Sequence, residues 1–416
     1  MELVYLQSPM LLLKRVFLSA AFFGSMIIII TILSVFIYFS ETGVSHLPSS
    51  ELKAAKLIPA VKGDSTITIT ITMSFVGDLM CHVPQMTNAK KSDGIYDFNP
   101  SFNEIKPFLS AADITIGNIE CTFAGSSRAY NGYPAFNCPD EFLDAIKNSG
   151  IDFLCTSNNH SMDTGEEGLL RTIKKVSEKG FGYTGTFVSQ RDRDSIRILD
   201  IKGIKIAVLN YTYGTNGSYP SAKNKWMLNV ADSALVKSDV LRARKTSADL
   251  VLVFYHWGIE NKQEPIAQQF SMFDWAADAG ADLIIGAHPH VIEPIAFFKT
   301  ASNAKLDSGV VAWSLGNFIS NQYWRYTDAG MILNLTIEKN NATGKLSLKK
   351  TSFVPTWVYR SYDSSLKQHV IVPANWCNKD SLPLWINTES KQKMCEALND
   401  TKKLIEKRGI KIDSQE

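Results

Sequence analysis

The sequence predicts a layered α/β domain with a mixed sheet, preceded by one membrane-spanning helix. Three observations carry that expectation. Apolar strand-like runs alternate with amphipathic helix-like runs along most of the chain; two late alternating segments read as a hairpin; and the amino-terminal region holds one long apolar run of a different character.

The apolar run comes first. From Val16 to Ser40 no residue is charged, and "FFGSMIIIITILSVFIYF" is long enough to cross a hydrocarbon core of about 30 Å. A secretory signal would carry a shorter apolar region and a small-residue cleavage site. Lys14 and Arg15 precede the run and Glu41 follows it, so the positive-inside bias keeps the tail, residues 1–15, in the cytoplasm. The expectation is a single-pass protein of the cell membrane, anchored by residues 16–40, with its main domain outside. Residues 41–71 are polar and broken by prolines and glycines, which reads as a linker.

The domain is expected over residues 72–356. "TITITITMSFVGD" alternates threonine with isoleucine, the period of a half-buried strand, and ends in a turn at Gly77 and Asp78. "DITIGN", "IDFLCTSNNH", "IKIAVLNYTYG", "LVLVFYHWG" and "ADLIIGAH" continue the strand pattern; "PDEFLDAIKNSG", "GEEGLLRTIKKVSEKG" and "QQFSMFDWAADAG" supply helices between them. "MILNLTIEKNNATGKLSLKKTSFVP" is the hairpin, and its antiparallel pairing makes the sheet mixed. Residues 357–416 remain as a carboxyl-terminal extension.

Composition is bland. With 416 residues, 45% hydrophobic, and a net charge of +2, the chain can bury a large core but shows no basic stripe for nucleic acid. Function must therefore be argued from sites.

Polar, metal-competent residues sit just past five strand-like runs: Asp78 and His82 in "VGDLMCH", Asn118 and Glu120 in "IGNIEC", Asn159 and His160 in "TSNNHS", His256 in "YHWG", and His288 with His290 in "GAHPH". A lone strand-end histidine is usually an ordinary hydrogen-bonded residue. Five clusters at equivalent positions are different, because loops at one edge of a parallel sheet converge. Five of the seven histidines are then available to one pocket. Imidazole mixed with carboxylate suits manganese, iron or zinc better than calcium, and a carboxylate can bridge two ions.

The order "GD…H", "GN-x-E", "NNH", "HWG", "GAHPH" resembles the calcineurin-like metallophosphoesterases. More closely, "FVGDLM", "NNHSMDTG", "HWGIE", "GADLIIGAHPHV" and "SLGNF" resemble the bacterial capsule-synthesis protein family, CapA/PgsA-like proteins of poly-γ-glutamate capsule biosynthesis. The resemblance implies a metallophosphoesterase-like layered fold and a divalent transition-metal centre of two ions. It also implies partners: an anionic polymer such as poly-γ-glutamate, and capsule synthase subunits that are ligase-like or multi-spanning membrane proteins. Carried over residue by residue, the metal ligands are Asp78, Glu120, Asn159, His256, His288 and His290, and His160 is the catalytic acid. Two departures stand out. The superfamily's histidine two residues past the first aspartate is missing, His82 lying four past Asp78; and Gly117 is followed by Asn118 rather than a carboxylate, so Glu120 takes the bridging role. The resemblance implies an anchored, externally facing subunit of a capsule biosynthesis and export complex; the alternative is a free-standing metal-dependent envelope hydrolase acting on a phosphoester or on the polymer's amide bonds. Whether the site is catalytic, and whether His82 or Asn118 is also a ligand, stays open.

Other groups have plainer readings. Asp163 and Gly165 shape the loop and cap a helix starting near Glu166. Trp257, Glu260 and the "SLGNF" turn either line the pocket or pack. Cys81, Cys121 and Cys155 read as small buried residues, and an exported location would permit a Cys377–Cys395 disulfide.

Overall fold

In the computed structural model, which describes residues 68–361, 368–407 and 413–414, the threonine–isoleucine alternation becomes one long strand, β1 (Thr68–Leu79). Thr68–Ile71, assigned to the linker by sequence, are part of it. The strands after it are β2 (Ile114–Ile119), β3 (Phe153–Cys155), β4 (Gly182–Thr184), β5 (Arg197–Ile201), β6 (Ile204–Thr212) and β7 (Leu250–His256). They continue as β8 (Leu283–Ala287), β9 (Ile295–Lys299), β10 (Ser308–Ala312), β11 (Asn317–Ile319), β12 (Ala329–Asn340), β13 (Leu346–Ser361) and β14 (Gln368–Pro373). The longer helices are α1 (Val83–Ala89), α2 (Glu141–Asn148), α3 (Gly165–Glu178), α4 (Ser233–Arg244), α5 (Ala267–Ala279) and α6 (Thr388–Glu406).

These strands form two mixed sheets rather than the single one expected. The first runs β14-β13-β12-β1-β2-β3-β4, with β11 added beside β1, and the second runs β5-β6-β7-β8-β10-β9. In the first, β1, β2, β3 and β4 run parallel out to the sheet's edge, with β12 antiparallel beside β1; in the second, β6, β7, β8 and β10 run parallel, with β5 and β9 antiparallel at the two ends. The hairpin is β12 against β13.

Periodicity shows how the layers stack. Along β7, buried at every position, Leu250, Leu252 and Phe254 face Met73, Phe75, Ile116 and Phe153 of the other sheet. The alternate residues Val251, Val253 and Tyr255 face α4 and α5 through Val236, Val240, Met272 and Ala276. On the far side, Phe142, Leu143 and Ile146 of α2 and Val176 of α3 cover Val76, Leu79 and Leu154. The result is helix, sheet, sheet, helix. A strand covered on both faces reads as a continuous apolar run, which is why "LVLVFYH" hardly alternates.

Three further expectations are corrected. The boundary at residue 356 falls inside β13, and the residues beyond it extend the first sheet: β14 pairs with β13, and Met394, Ala397 and Leu398 of α6 pack on Trp357, Tyr359, Val370 and Val372. The single-pass membrane location with an outside domain is also overturned, since among the described residues no helix is long and apolar enough to cross a membrane. The anchor run 16–40, on which that expectation rested, lies outside the described residues. Cys377 and Cys395 are free thiols, not a disulfide.

Candidate metal centre

The parallel strands of both sheets end at one edge, and five of those ends converge there. Gly77 is required at the first. A Cβ on it would collide with the carbonyl oxygen of Gly316, and the same close approach lets Asp78 N donate to that oxygen at 3.0 Å. The "SLGNF" turn thus braces Asp78 from behind, with Asn317 in register beside it on β11. Asp78 Oδ1 accepts from Asn118 Nδ2 at 2.8 Å, and Asp78 Oδ2 pairs with His290 Nδ1 at 3.0 Å.

Glu120, one residue past β2, is the hub. Its Oε1 lies 3.4 Å from His256 Nε2 and 3.9 Å from His290 Nε2. Donor atoms of Glu120, His256 and His288 all lie within 4.8 Å of one another, and so do those of Asp78, Glu120 and His290. Glu120 is common to both trios. Asn159 Oδ1 meets His256 Nε2 at 2.9 Å, so those two donors converge on one point. His288 and His290 sit at φ 99° and 59° on either side of Pro289. Non-glycine residues rarely occupy that region, and such strain gathers at functional sites. It turns two rings, one residue apart, toward different trios.

Electrostatics match a cation site. Burial pulls His256 down to about 3 and His288 well below the usual imidazole range, so both rings are neutral donors. Burial also pulls on His290, but the charges of Glu120 and Asp78 lift it to about 9. Glu120 is pushed well above the carboxylate range by burial and then by the charge of Asp78; Asp78, despite burial, is held low by His290. Two buried carboxylates cannot comfortably ionise together without a cation beyond the His290 proton. Glu120 Oε1, Asn118 Oδ1 and His288 Nδ1 are buried without a hydrogen-bond partner. Buried orphans of this kind call for an explanation, and an ion among them supplies one. The residues present therefore fit a divalent metal.

His160 stands beside the trios rather than within them. Its Nδ1 lies 2.7 Å from Asp163 Oδ2, with both side chains almost wholly buried, and its ring packs edge-on to Phe136 at 4.7 Å. A carboxylate only accepts, so Nδ1 carries the proton and Nε2 is left as the reactive nitrogen. Asp163 is the residue that sequence reasoning missed. Helix α3 begins at Gly165 with Thr164 before it and no side-chain cap; the Asp163 carboxylate instead takes His160 and the backbone N–H of Phe136. The H-x-x-D spacing was the available signal.

His82 belongs to neither trio. Burial lowers it to about 4, its Nδ1 faces Gln85 and accepts from the Asn321 N–H, and it lines the approach. Trp257 is packing: fully buried, stacked on Tyr255 and Trp313, and donating to the Trp313 carbonyl. Cys81, Cys121 and Cys155 are buried core residues. An open cleft of about 290 Å³ leads to the centre, lined by Met80, Tyr133, His160, Glu260, His290 and Trp324 among others.

Several known proteins are similar to this chain in sequence or in fold. The PGA biosynthesis protein CapA of Bacillus subtilis is 28% identical over 320 residues, spanning 76% of this chain and 80% of that protein. The capsule biosynthesis protein CapA of Bacillus anthracis is 29% identical over 279 residues, or 65% of this chain and 64% of its own length. Among solved structures, a phosphatase of Mycoplasma pneumoniae overlaps 70% of this chain and 94% of its own at a TM-score of 0.42 and 13% identity. Residues 72–322, the stretch that holds all five strand ends, match the family described as bacterial capsule synthesis protein PGA_cap, and the chain belongs to that family.

Proposed function

We propose that this protein is a divalent-metal hydrolase of the phosphoesterase type, acting in the synthesis of a capsule polymer such as poly-γ-glutamate. It would work with ligase-like and multi-spanning membrane subunits of the synthase. The observation that carries the reaction class is the buried His160–Asp163 pair standing beside two donor trios that share Glu120.

Asp78, Glu120 and His290 would hold one ion and Glu120, Asn159, His256 and His288 the other, with manganese, iron or zinc favoured by the donor chemistry. Bound there, the ions supply Lewis acidity and a water of lowered pKa. The chain's own residues do the rest. Asp163 fixes the ring of His160 and keeps the proton on Nδ1, so that Nε2 exchanges a proton with the reacting oxygen. Phe136 limits ring rotation, and Asn216 Nδ2 lies 3.4–3.5 Å from the two ring nitrogens.

The test is direct. The manganese-loaded protein should hydrolyse a phosphodiester such as bis-p-nitrophenyl phosphate, and His160→Ala should lower the rate by about 10²–10⁴ with metal content unchanged. Cells carrying normal amounts of His160→Ala protein should lose capsule. Normal capsule in both those cells and cells with the His288→Ala/His290→Ala pair would reject the enzymatic reading and leave a scaffold.

A further inference from the structure

We propose that Glu260 is a further metal-binding residue, a third carboxylate that closes the centre from the cleft side. The inference rests on the reading of the trios as metal sites, and it adds a ligand to them.

The loop after β7 is built to hold this side chain in place. Gly258, at φ 93°, reverses the chain directly after Trp257, in a backbone conformation that a Cβ would strain, and the Gln269 side chain fills the space a Cβ would need. Asn261, at φ 64°, donates its backbone N–H to the carbonyl oxygen of Pro289 at 2.8 Å. Glu260 is therefore suspended between the turn that follows His256 and the turn that carries His288 and His290. One of its carboxylate oxygens and one ring nitrogen each of His288 and His290 lie within 4.8 Å of one another. This makes a third donor trio at the mouth of the cluster, and unlike Asp78 and Glu120 its carboxylate is exposed and lines the cleft.

Donor number and charge both call for it. Asp78, Glu120 and His290 give an ion three protein donors, whereas zinc, iron and manganese take four to six. Met80, two residues past Asp78, also lines the cleft but offers only a thioether, a poor partner for a hard divalent ion. Two divalent ions would bring four positive charges into a pocket whose buried carboxylates, Asp78 and Glu120, return two. A third carboxylate narrows that gap without the desolvation cost of full burial in the ion-free state.

The experiment is a manganese titration of the full chain by calorimetry, with electron paramagnetic resonance of the bound Mn²⁺, on the wild type, Glu260→Gln and Glu260→Asp. Even loss of an outer-shell partner typically costs roughly 10–100-fold in metal affinity, so Glu260→Gln should weaken at least one binding step by that much. Glu260→Asp should recover part of the loss. Metal-free melting curves of the three proteins should coincide, which separates ligand loss from misfolding. Wild-type stoichiometry and affinity in Glu260→Gln overturn the inference, including the case in which only turnover falls and Glu260 acts on substrate alone. If the wild type itself takes up no manganese, zinc or iron, the metal reading falls and this inference with it, an outcome distinct from a bound but indifferent Glu260→Gln.

Discussion

At His160 a single carboxylate decides which nitrogen can do chemistry. Asp163 accepts from both Nδ1 and the Phe136 N–H, so Asp163→Asn keeps the shape but removes the charge that steadies the imidazolium. Turnover of Asp163→Asn should fall by about 10²-fold or more while metal uptake stays normal; equal turnover would mean the pair is structural. Glu293, three residues past His290, gives a second test by pH. It is fully buried, and burial lifts it to about 8 against the hydrogen bond it accepts from Gln269 Nε2 at 2.6 Å. Between the ordinary carboxylate value of 4.5 and about 8 the native state keeps a proton that the unfolded chain releases. Stability attached to this group is therefore complete below 4.5, declines as pH rises through that window, and is lost above 8, at up to about 1.4 kcal/mol per pKa unit. Glu293→Gln has no proton to lose. Metal-free melting from pH 5 to 8 should be flatter in Glu293→Gln than in the wild type; parallel curves would show that Glu293 ionises normally.

The element that sets the site is the end of β1, held by β11 through the contact of Gly77 with Gly316. Backbone meets backbone there, so no side chain can yield. Gly77→Ala should cost about 1–3 kcal/mol in chemical denaturation and, by displacing Asp78, should weaken metal binding as well. Unchanged stability would mean that β11 moves freely and does not brace the ligand. Much at this scale was legible in the sequence: the strand ends bearing Asp78, Glu120, His256, His288 and His290 announce themselves, because a turn with ligand-type residues after an apolar run is a local pattern. What local pattern hides is the partner across the fold. Asp163 reads as a helix cap because caps are common before helices, and only the tertiary placement of Phe136 and His160 redirects its carboxylate. Glu260 and the "SLGNF" turn were ambiguous for the same reason.

At the scale of the whole molecule, alternation told where strands are but not which sheet each joins. β1, β2 and β3 carry Asp78, Glu120 and Asn159 from one sheet, whereas β7 and β8 carry His256, His288 and His290 from the other. Both trios take donors from each sheet. Away from the site the sheets meet mainly through apolar contacts such as Phe75, Phe153, Leu252 and Ile285, which carry no directional constraint, joined by a few polar ones: Ser157 N donates to Asn210 Oδ1 at 2.7 Å, and Lys339 pairs with Asp249 at 2.8 Å. An ion held there would tie the two sheets at the edge where their strand ends converge, and it would bind the folded chain but not a chain whose strand ends are dispersed. Ligand linkage then gives about 2.7 kcal/mol of stabilisation when free metal stands a hundredfold above its Kd. Scanning calorimetry with added Mn²⁺ should show Tm rising with metal concentration and returning on chelation. His288→Ala/His290→Ala should abolish the shift while folding without metal, because it removes one donor from each trio and leaves the inter-sheet core whole. A metal-induced shift of full size in His288→Ala/His290→Ala would place the ion elsewhere on the chain; no shift in the wild type would mean that no ion ties the sheets together.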